Sequence, residues 1–162
     1  MIVVSDTSPV LNLVRIARFE LLRSLYKRVI IPTAVYAELT APSHDLPAAI
    51  DLASMPWLSV AAPGDQDRVR ELCEHLDPGE AQAIVLAVEF HADLLLVDER
   101  RARRIATALG LTVTGLLGVL ADAKKVGLLE RAKPVLDELI QKAGFWIGPD
   151  LYREFLAELG EQ

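Results

Sequence analysis

The sequence predicts an α/β fold in which a mostly parallel sheet is covered by helices on both faces. Short, wholly apolar runs such as Val29-Ile30-Ile31 recur along the chain and alternate with stretches of helical apolar spacing. Runs without a polar face are typical of strands that are buried on both sides. Strands that alternate with helices indicate parallel pairing through right-handed crossover connections.

The first half of the chain contains three predicted strands, at residues 2–6, 29–31 and 58–61. Pro32 stops the second strand, because proline cannot donate to a sheet ladder. Ser8 is predicted to cap the first helix, with Pro9 at its first position. Thr33 is predicted to cap the helix that contains Glu38. Further helices are expected at 19–25, 46–54 and 65–75.

The second half continues the alternation of strands and helices. Asp77-x-x-Glu80 has the spacing of a capping box, which opens a helix. Gly110 is predicted to end a later helix. Strands are expected at 94–97 and 111–114, and helices at 99–109, 116–126, 133–143 and 149–159. Residues 1–162 are predicted to form one domain, with a C-terminal helical appendage at about 133–162.

The composition argues against several classes of protein. The 162 residues are 52 % hydrophobic, which is too apolar for a disordered chain. No apolar stretch is long and charge-free enough to span a bilayer, and a signal peptide is not expected. The single cysteine, Cys73, excludes an internal disulfide framework, so we expect a cytoplasmic location. The net charge of −6 argues against an extended nucleic-acid surface, but not against a small catalytic footprint.

Two aspartates stand directly after apolar runs. Asp6 ends the first predicted strand, and Asp98 follows the strand at 94–97. Functional groups in open α/β sheets gather at the carboxyl ends of strands. Each aspartate also has a local alternative. Asp6 can accept hydrogen bonds from turn amides, and Asp98 can cap the helix that starts at Glu99.

Two glutamates complete a candidate acidic set. Glu38 lies beside the apolar stripe of its helix, with an exposed surface position as the alternative. Glu80 has the capping-box alternative with Asp77, although a first-turn glutamate can also face a cleft. If the acids at 6, 38, 80 and 98 converge, their repulsion raises their pKa values or requires a cation. Carboxylate oxygens suit Mg²⁺ or Mn²⁺, and two such ions can support phosphodiester cleavage.

Basic and aromatic residues offer further candidates. Arg100, Arg103 and Arg104 share one helix face and can contact phosphates, with a solvated face or pairing with acids as the alternative. The three histidines lack zinc-like spacing. Trp57 and Trp146 are predicted to be packing anchors, with a role as base-stacking platforms as the alternative.

The ordered set of motifs resembles the PIN-domain nucleases, which include the VapC-type toxins of bacterial and archaeal VapBC-type systems. It resembles the DUF3368 branch of that superfamily most. The stretches that carry the resemblance are Asp6-Thr7-Ser8-Pro9, Ala37-Glu38-Leu39, Gly79 to Ile84, Leu96 to Arg100, Gly115 to Leu120, and the tail with Gly144-Phe145 and Leu151. The resemblance therefore covers nearly the whole chain.

The resemblance implies a three-layer α/β/α PIN-like fold and Mg²⁺- or Mn²⁺-dependent cleavage of RNA. The matching catalytic acids are Asp6, Glu38, Glu80 and Asp98, of which Asp6, Glu80 and Asp98 would hold the metal. Ser8 matches a supporting position, and Glu99 is a second candidate to complete the site. The resemblance also implies a toxin, a small antitoxin partner and a homodimer.

Two other function classes stay open at this stage. A PIN-like scaffold that has lost catalysis would act as a protein-binding module. A phosphatase or another phosphoryl-transfer enzyme would act on small phosphoesters instead of RNA. The Asp6-Thr7-Ser8 stretch lacks the second aspartate that a haloacid-dehalogenase-type phosphatase uses, which weakens the latter reading.

Overall fold

A computed structural model describes residues 1–41, 52 and 55–162. The strands in this part of the chain are β1 (Val3–Ser5), β2 (Val29–Pro32), β3 (Leu58–Ala61), β4 (Leu94–Leu96) and β5 (Val113–Thr114). The helices are α1 (Thr7–Arg15), α2 (Glu20–Tyr26), α3 (Thr33–Leu39), α4 (Gln66–Leu72), α5 (Pro78–Glu89), α6 (Arg100–Ala108), α7 (Leu116–Lys125), α8 (Lys133–Lys142) and α9 (Pro149–Glu158). The helix predicted at 46–54 falls almost wholly outside the described residues.

The five described strands form one parallel sheet in the order β3-β2-β1-β4-β5. In its centre, Val4 of β1 pairs with Ile30 of β2 on one side and with Leu95 of β4 on the other. From β1, the chain therefore adds β2 and β3 on one side of the sheet and then β4 and β5 on the other side. The carboxyl ends of β1 and β4 meet at this change of direction, where open α/β sheets form their functional crevice.

Alternate residues of the central strands enter two separate hydrophobic cores. Val3 and Leu96 belong to the core on one face of the sheet, whereas Val4 and Leu95 belong to the core on the other face. This division follows from the two-residue period of a strand. Helices therefore cover both faces, and the predicted three-layer α/β/α fold with a parallel sheet is confirmed. No helix in the described ranges is long and apolar enough to cross a membrane.

The first helix begins earlier than predicted. Asp6 has extended backbone angles (φ −77°, ψ 175°) and occupies the N-cap position, so α1 starts at Thr7. The prediction that Ser8 caps this helix was therefore wrong. The reason is that β1 ends at Ser5, which leaves Asp6 as the only residue between the strand and the helix. The strand-ending acid is thereby placed at a helix N-terminus.

The C-terminal helices pack into the same core as β1. Val135, Leu139 and Phe155 are buried there, although the predicted division into a domain and an appendage stays a prediction. The buried carboxylate of Glu161 forms hydrogen bonds that hold the C-terminal end of the chain in place. It accepts hydrogen bonds from the amides of Ala132 (2.8 Å) and Lys133 (2.9 Å) at the start of α8, and from Lys124 Nζ (2.9 Å). Glu161 therefore joins the chain end to α7 and α8.

Replacing Glu161 is expected to destabilise the protein. Burial acts to raise the pKa of Glu161, but the amides of Lys133 and Ala132 and the Lys124 ammonium hold that pKa below its ordinary value. The stabilisation is thus present above the ordinary glutamate pKa and is lost as the pH falls through the lowered pKa. We expect E161A to lower the free energy of unfolding by about 2–3 kcal/mol at pH 7, measured by urea denaturation.

The exposed α9 residue Glu154 provides the control for that measurement, because E154A removes an acid of the same kind from the surface. We expect E154A to change the free energy of unfolding by less than about 0.5 kcal/mol. Equal stability of E161A and E154A at pH 7 would contradict the proposed anchoring by Glu161.

Candidate active site

A cleft of about 870 Å³ lies at the carboxyl ends of β1 and β4. The acids that line it are Asp6, Glu38, Asp77, Glu80, Asp98 and Glu99, and the basic residues are Arg15, Arg100 and Arg103. All four acids predicted to be catalytic therefore face one cleft, although they come from four separate parts of the chain. Asp77 and Arg15 were not predicted as site residues.

Asp6 is the most buried acid of the cleft, with 5 % of its surface exposed. Its amide donates to Leu96 O (2.9 Å), which ties the ends of β1 and β4 together. Burial raises the pKa of Asp6 to about 7, and the negative charges of Asp77, Glu38 and Asp98 add to this effect against the Thr7 amide, which lowers it. Both the protonated and the charged form of the Asp6 carboxyl group are therefore populated near neutral pH.

Glu38 lies in the last turn of α3, and groups from two other helices hydrogen-bond to the two ends of α3. The Thr7 hydroxyl donates to Glu38 Oε2 (2.5 Å). At the other end of α3, Gln82 Oε1 accepts from the Ala34 amide (2.9 Å) and from the Thr33 hydroxyl (3.1 Å). The predicted cap by Thr33 was wrong, because Thr33 is the first residue of the helix and a glutamine of α5 takes the capping role.

The Asp6 and Glu38 carboxylates approach each other over Gly79. A Cβ atom at Gly79 would lie 3.1 Å from Glu38 Oε1 and 3.3 Å from Asp6 Oδ1. The two oxygens thus border the same small volume, which glycine leaves open. Thr7 and Gly79 belong to the motifs that carry the family resemblance. Their proximity to Glu38 was not predicted, because each lies more than thirty residues from Glu38 in the sequence.

Asp98 does not cap the helix that follows it. Glu99 takes that place, since its side chain accepts from the Ala102 amide (2.7 Å), and the capping alternative for Asp98 was therefore wrong. Asp98 Oδ1 instead accepts from the Leu116 amide (2.9 Å) at the start of α7. Asp98 Oδ2 is buried and has no hydrogen-bond partner among the described residues.

Neighbouring groups offset only part of the cost of burying the Asp98 charge. Burial raises the pKa of Asp98, while the Leu116 amide, the Arg103 guanidinium and the Ser8 hydroxyl act to lower it. Ser8 Oγ also accepts from Asn12 Nδ2 (3.1 Å). Ser8 therefore lies beside Asp98 as well as close to Asp6 in sequence, and Asn12 is a buried neighbour that sequence reasoning missed.

Glu80 belongs to the capping box that opens α5 and also lines the cleft. The capping box is confirmed, because Asp77 Oδ1 accepts from the Glu80 amide (2.8 Å) and Glu80 Oε2 accepts from the Asp77 amide (3.4 Å). Burial and the charges of Asp77 and Asp6 raise the pKa of Glu80 to about 7. The two local interpretations of Glu80 are thus compatible in the folded protein.

The arginine cluster divides between the cleft and the surface. Arg100 and Arg103 line the cleft, and Arg103 Nη1 donates to Val97 O (3.2 Å). Arg104 is exposed and is not one of the lining residues. Of the three arginines predicted to contact RNA, Arg100 and Arg103 are therefore accessible to a ligand bound in the cleft.

Comparison with known proteins decides the family. A sequence model of the family DUF3368, described as a PIN domain, matches residues 2–161. The chain belongs to this PIN-domain family. The resemblance inferred from the motifs is thereby confirmed, and so is a nuclease-type fold, because PIN domains are generally nucleases and thus hydrolases. Neither the curated proteins nor the solved structures contain a match.

The cleft of this PIN domain has the donor chemistry for a divalent cation. PIN domains typically use such ions, and the ligands that Mg²⁺ and Mn²⁺ prefer are carboxylate oxygens. Asp98 Oδ2 is a buried carboxylate oxygen without a hydrogen-bond partner among the residues that the structure describes. Asp6 and Glu80 carry raised pKa values that a cation would lower. Within the described ranges, however, no three acid, histidine or cysteine side chains form a preassembled ligand cluster.

The two tryptophans of this PIN domain have opposite environments. Trp57 is buried and packs against Phe19, with 4.8 Å between the ring centroids, as predicted. Trp146 is 83 % exposed and lies in the cleft wall, so its prediction as a packing anchor was wrong. The reason is that α8 ends at Lys142 and α9 begins at Pro149, and the short connection between them, which turns at Gly144 (φ +72°), runs along the cleft.

Proposed function

We propose that the protein is a Mg²⁺- or Mn²⁺-dependent endoribonuclease that cleaves RNA phosphodiester bonds. The observation that carries this proposal is the meeting of Asp6, Glu38, Glu80 and Asp98 in one cleft of a PIN domain. Asp6, Glu80 and Asp98 would hold the metal. Glu38 would complete the site or position the attacking water, with Ser8 and Glu99 in supporting places.

The cleft residues have distinct tasks in this proposal. When bound, Mg²⁺ or Mn²⁺ supplies stabilisation of charge on the phosphoryl oxygens and a more acidic water. Glu38, which accepts a hydrogen bond from the Thr7 hydroxyl, would accept a proton from the attacking water. Arg100 and Arg103 supply positive charge in the same cleft and can contact the RNA phosphates. Arg104 remains a more distant candidate for such a contact.

The charge of the cleft supports a cation requirement. Among the described residues that line the cleft, acids outnumber arginines six to three, so a phosphate group would meet net negative charge in the metal-free cleft. Bound divalent ions reverse this balance locally and allow the polyanion to approach. RNA cleavage is therefore expected to require the ion for binding as well as for chemistry.

A direct assay tests this function. Purified protein is incubated with single-stranded RNA in Mn²⁺, in Mg²⁺ and in EDTA, and the products are separated by gel electrophoresis. We expect internal cleavage with either ion and none in EDTA. Absence of both cleavage and Mn²⁺ binding by calorimetry would favour a non-catalytic binding module. Hydrolysis of small phosphoesters without RNA cleavage would favour a phosphatase or another phosphoryl-transfer enzyme.

We further propose that the protein acts in the cytoplasm as the toxin of a toxin–antitoxin pair, with a small antitoxin as its partner and a homodimer as its assembly. The support is the resemblance to the VapC-type branch of the PIN domains. Growth arrest on expression of the chain, relieved by co-expression of a short neighbouring reading frame, is the expected result. Unimpaired growth with active, soluble protein would argue against the toxin role.

Metal-free protein is expected to lose stability as the pH rises from about 5 to about 8. The pKa of Asp6 is about 7 in the folded protein against 3.8 ordinarily, so the folded state binds more protons than the unfolded state in this interval. Stability must then fall with pH, by at most about 1.4 kcal/mol per pH unit for this group. Glu80 acts in the same direction.

Thermal unfolding in EDTA at pH 5.5, 6.5 and 7.5 measures this dependence. We expect D6N to flatten it, because asparagine does not titrate, and Mn²⁺ at pH 7.5 to restore stability through binding to the folded state. A melting temperature that rises with pH over this interval would contradict the raised carboxyl pKa values.

A further inference from the structure

Trp146 is the most exposed of the large hydrophobic side chains in the described part of the chain, yet the residues directly before it are anchored. Its neighbour Phe145 packs against the core, and the Phe145 amide donates to Leu139 O (3.0 Å). On the preceding side, Arg15 Nη1 donates to Ala143 O (3.4 Å). The indole is therefore presented by a segment that is attached to both the first helix and the core.

The position of the indole relates it to the acidic site. Trp146 lines the same cleft as Asp6 and Asp98, with Leu151, 49 % exposed, in the same wall. Single exposed apolar residues are ordinary features of protein surfaces. An aromatic ring in the wall of a cleft that also contains carboxylates and arginines is different, because it adds a flat apolar surface to a charged site.

The charged residues of the cleft indicate which kind of ligand could pack against the Trp146 indole. Arg15, Arg100 and Arg103 share the cleft with the indole, and a nucleic acid strand needs both cationic groups for its phosphates and flat surfaces for its bases. Bases in a duplex are already stacked on one another, whereas unpaired bases can stack on aromatic side chains. The combination thus fits a single strand better than a duplex.

We propose that Trp146 stacks on an unpaired base of the RNA strand whose phosphate lies at the acidic residues, and that it thereby selects single-stranded substrates. This inference rests on the proposed ribonuclease function. Stacking on an indole tolerates every base, so Trp146 determines strand state and the position of the strand in the cleft, not the base sequence.

The first test measures cleavage by variants of the cleft wall. W146A is expected to raise KM for single-stranded RNA about 5- to 150-fold, which corresponds to about 1–3 kcal/mol, with a smaller change in kcat. W146F is expected to recover most of the loss. L128A is the control, because Leu128 is an exposed apolar side chain outside the cleft lining, and we expect it to leave KM and kcat unchanged. RNA of the same sequence in a duplex is expected to resist the wild-type protein.

Abasic substrates distinguish stacking from a merely structural role. A single abasic site is moved along the RNA, and one position is expected to raise KM for the wild-type protein by the factor seen with W146A. With the abasic site at that position, KM for W146A should not rise further. The effects of the W146A substitution and of the abasic site on KM would therefore not be additive. Loss of affinity in W146A without any such coupled position would overturn the proposal.

A binding measurement adds a readout that does not depend on turnover. The E38Q variant keeps the three proposed metal ligands but lacks the carboxylate that would accept a proton from the attacking water. Single-stranded RNA added to E38Q in Mg²⁺ is expected to quench tryptophan fluorescence, and W146F/E38Q provides the background from buried Trp57. Unchanged KM and no quenching would overturn the inference, and this is also the outcome expected if the wall were reserved for a protein partner. Failure of the ribonuclease function itself would be recognised separately, by wild-type protein that cleaves no RNA.

Discussion

Asp6→Asn is expected to abolish Mn²⁺-dependent RNA cleavage while the protein stays folded. Asp6 is the buried acid at the junction of β1, β4 and α1, and asparagine keeps its shape but not its charge. Loss of this ligand removes the charge that would hold the metal and orient the phosphate, so we expect turnover to fall on the order of 10³-fold or more. Gel assays with D6N at several Mn²⁺ concentrations measure the loss.

Stability separates this effect from unfolding. Because the Asp6 charge is costly to bury, metal-free D6N should be at least as stable as the wild-type protein at pH 7.5. D67N is the matched control, since Asp67 is an exposed acid that pairs with Arg70 on α4, outside the cleft. D67N should cleave RNA at the wild-type rate. Wild-type turnover by D6N would exclude the proposed metal site.

Gly115→Ala is expected to reduce RNA cleavage about 10²-fold through displacement of Asp98. Gly115 precedes α7 with φ −116°, which alanine can adopt, so the effect is steric. Its Cβ atom would overlap Asp98 Oδ1 and lie 2.7 Å from Arg103 Nη1. The hydrogen bond from Leu116 to Asp98 would then be lost or lengthened, and the carboxylate would leave its place in the cleft.

Gly64→Ala is the control for Gly115→Ala. A Cβ atom at Gly64 would lie 3.6 Å from the nearest Glu89 oxygen, which is an ordinary contact, and Gly64 does not line the cleft. G64A should therefore retain full activity, whereas G115A should combine low kcat with a loss of about 1–3 kcal/mol in unfolding free energy from overpacking. A G115A variant with wild-type kcat would show that the observed Asp98 position is unnecessary.

The strands and their terminal acids were predictable because they depend on local patterns. Val29-Ile30-Ile31 and residues 94–97 are apolar on both faces, and a run of that kind is buried in a parallel sheet. The capping box of Asp77 and Glu80 was likewise encoded within four residues. The family motifs added the order of the acids, and the family model matches residues 2–161.

The partners of the acids were not predictable in the same way. Asp98 and Glu99 are adjacent acids before a helix, and either can cap it by local rules. The choice depends on the Leu116 amide, eighteen positions further along, which draws the Asp98 carboxylate away from α6. Thr7 with Glu38 and Glu161 with the start of α8 are similar cases, because each pair forms only when distant elements pack.

The opposite environments of the tryptophans follow from the same distinction. Trp57 and Trp146 are equally apolar, and local sequence favours burial for both. The fold covers Trp57 with Phe19 but places the connection of Trp146 along the cleft wall. Sequence cannot decide exposure here, because exposure depends on which elements remain to cover a side chain once the core is filled.

By itself, the sequence determined the alternating α/β pattern, the parallel sheet and the acids at the ends of β1 and β4, since apolar runs and helical periods act over a few residues. Only the tertiary structure decided that Asp6, Glu38, Glu80 and Asp98 share one cleft, that Asp98 bonds to α7, and that Trp146 faces the same space. Burial, mutual charge and steric access arise between elements, and they exist only after those elements have packed.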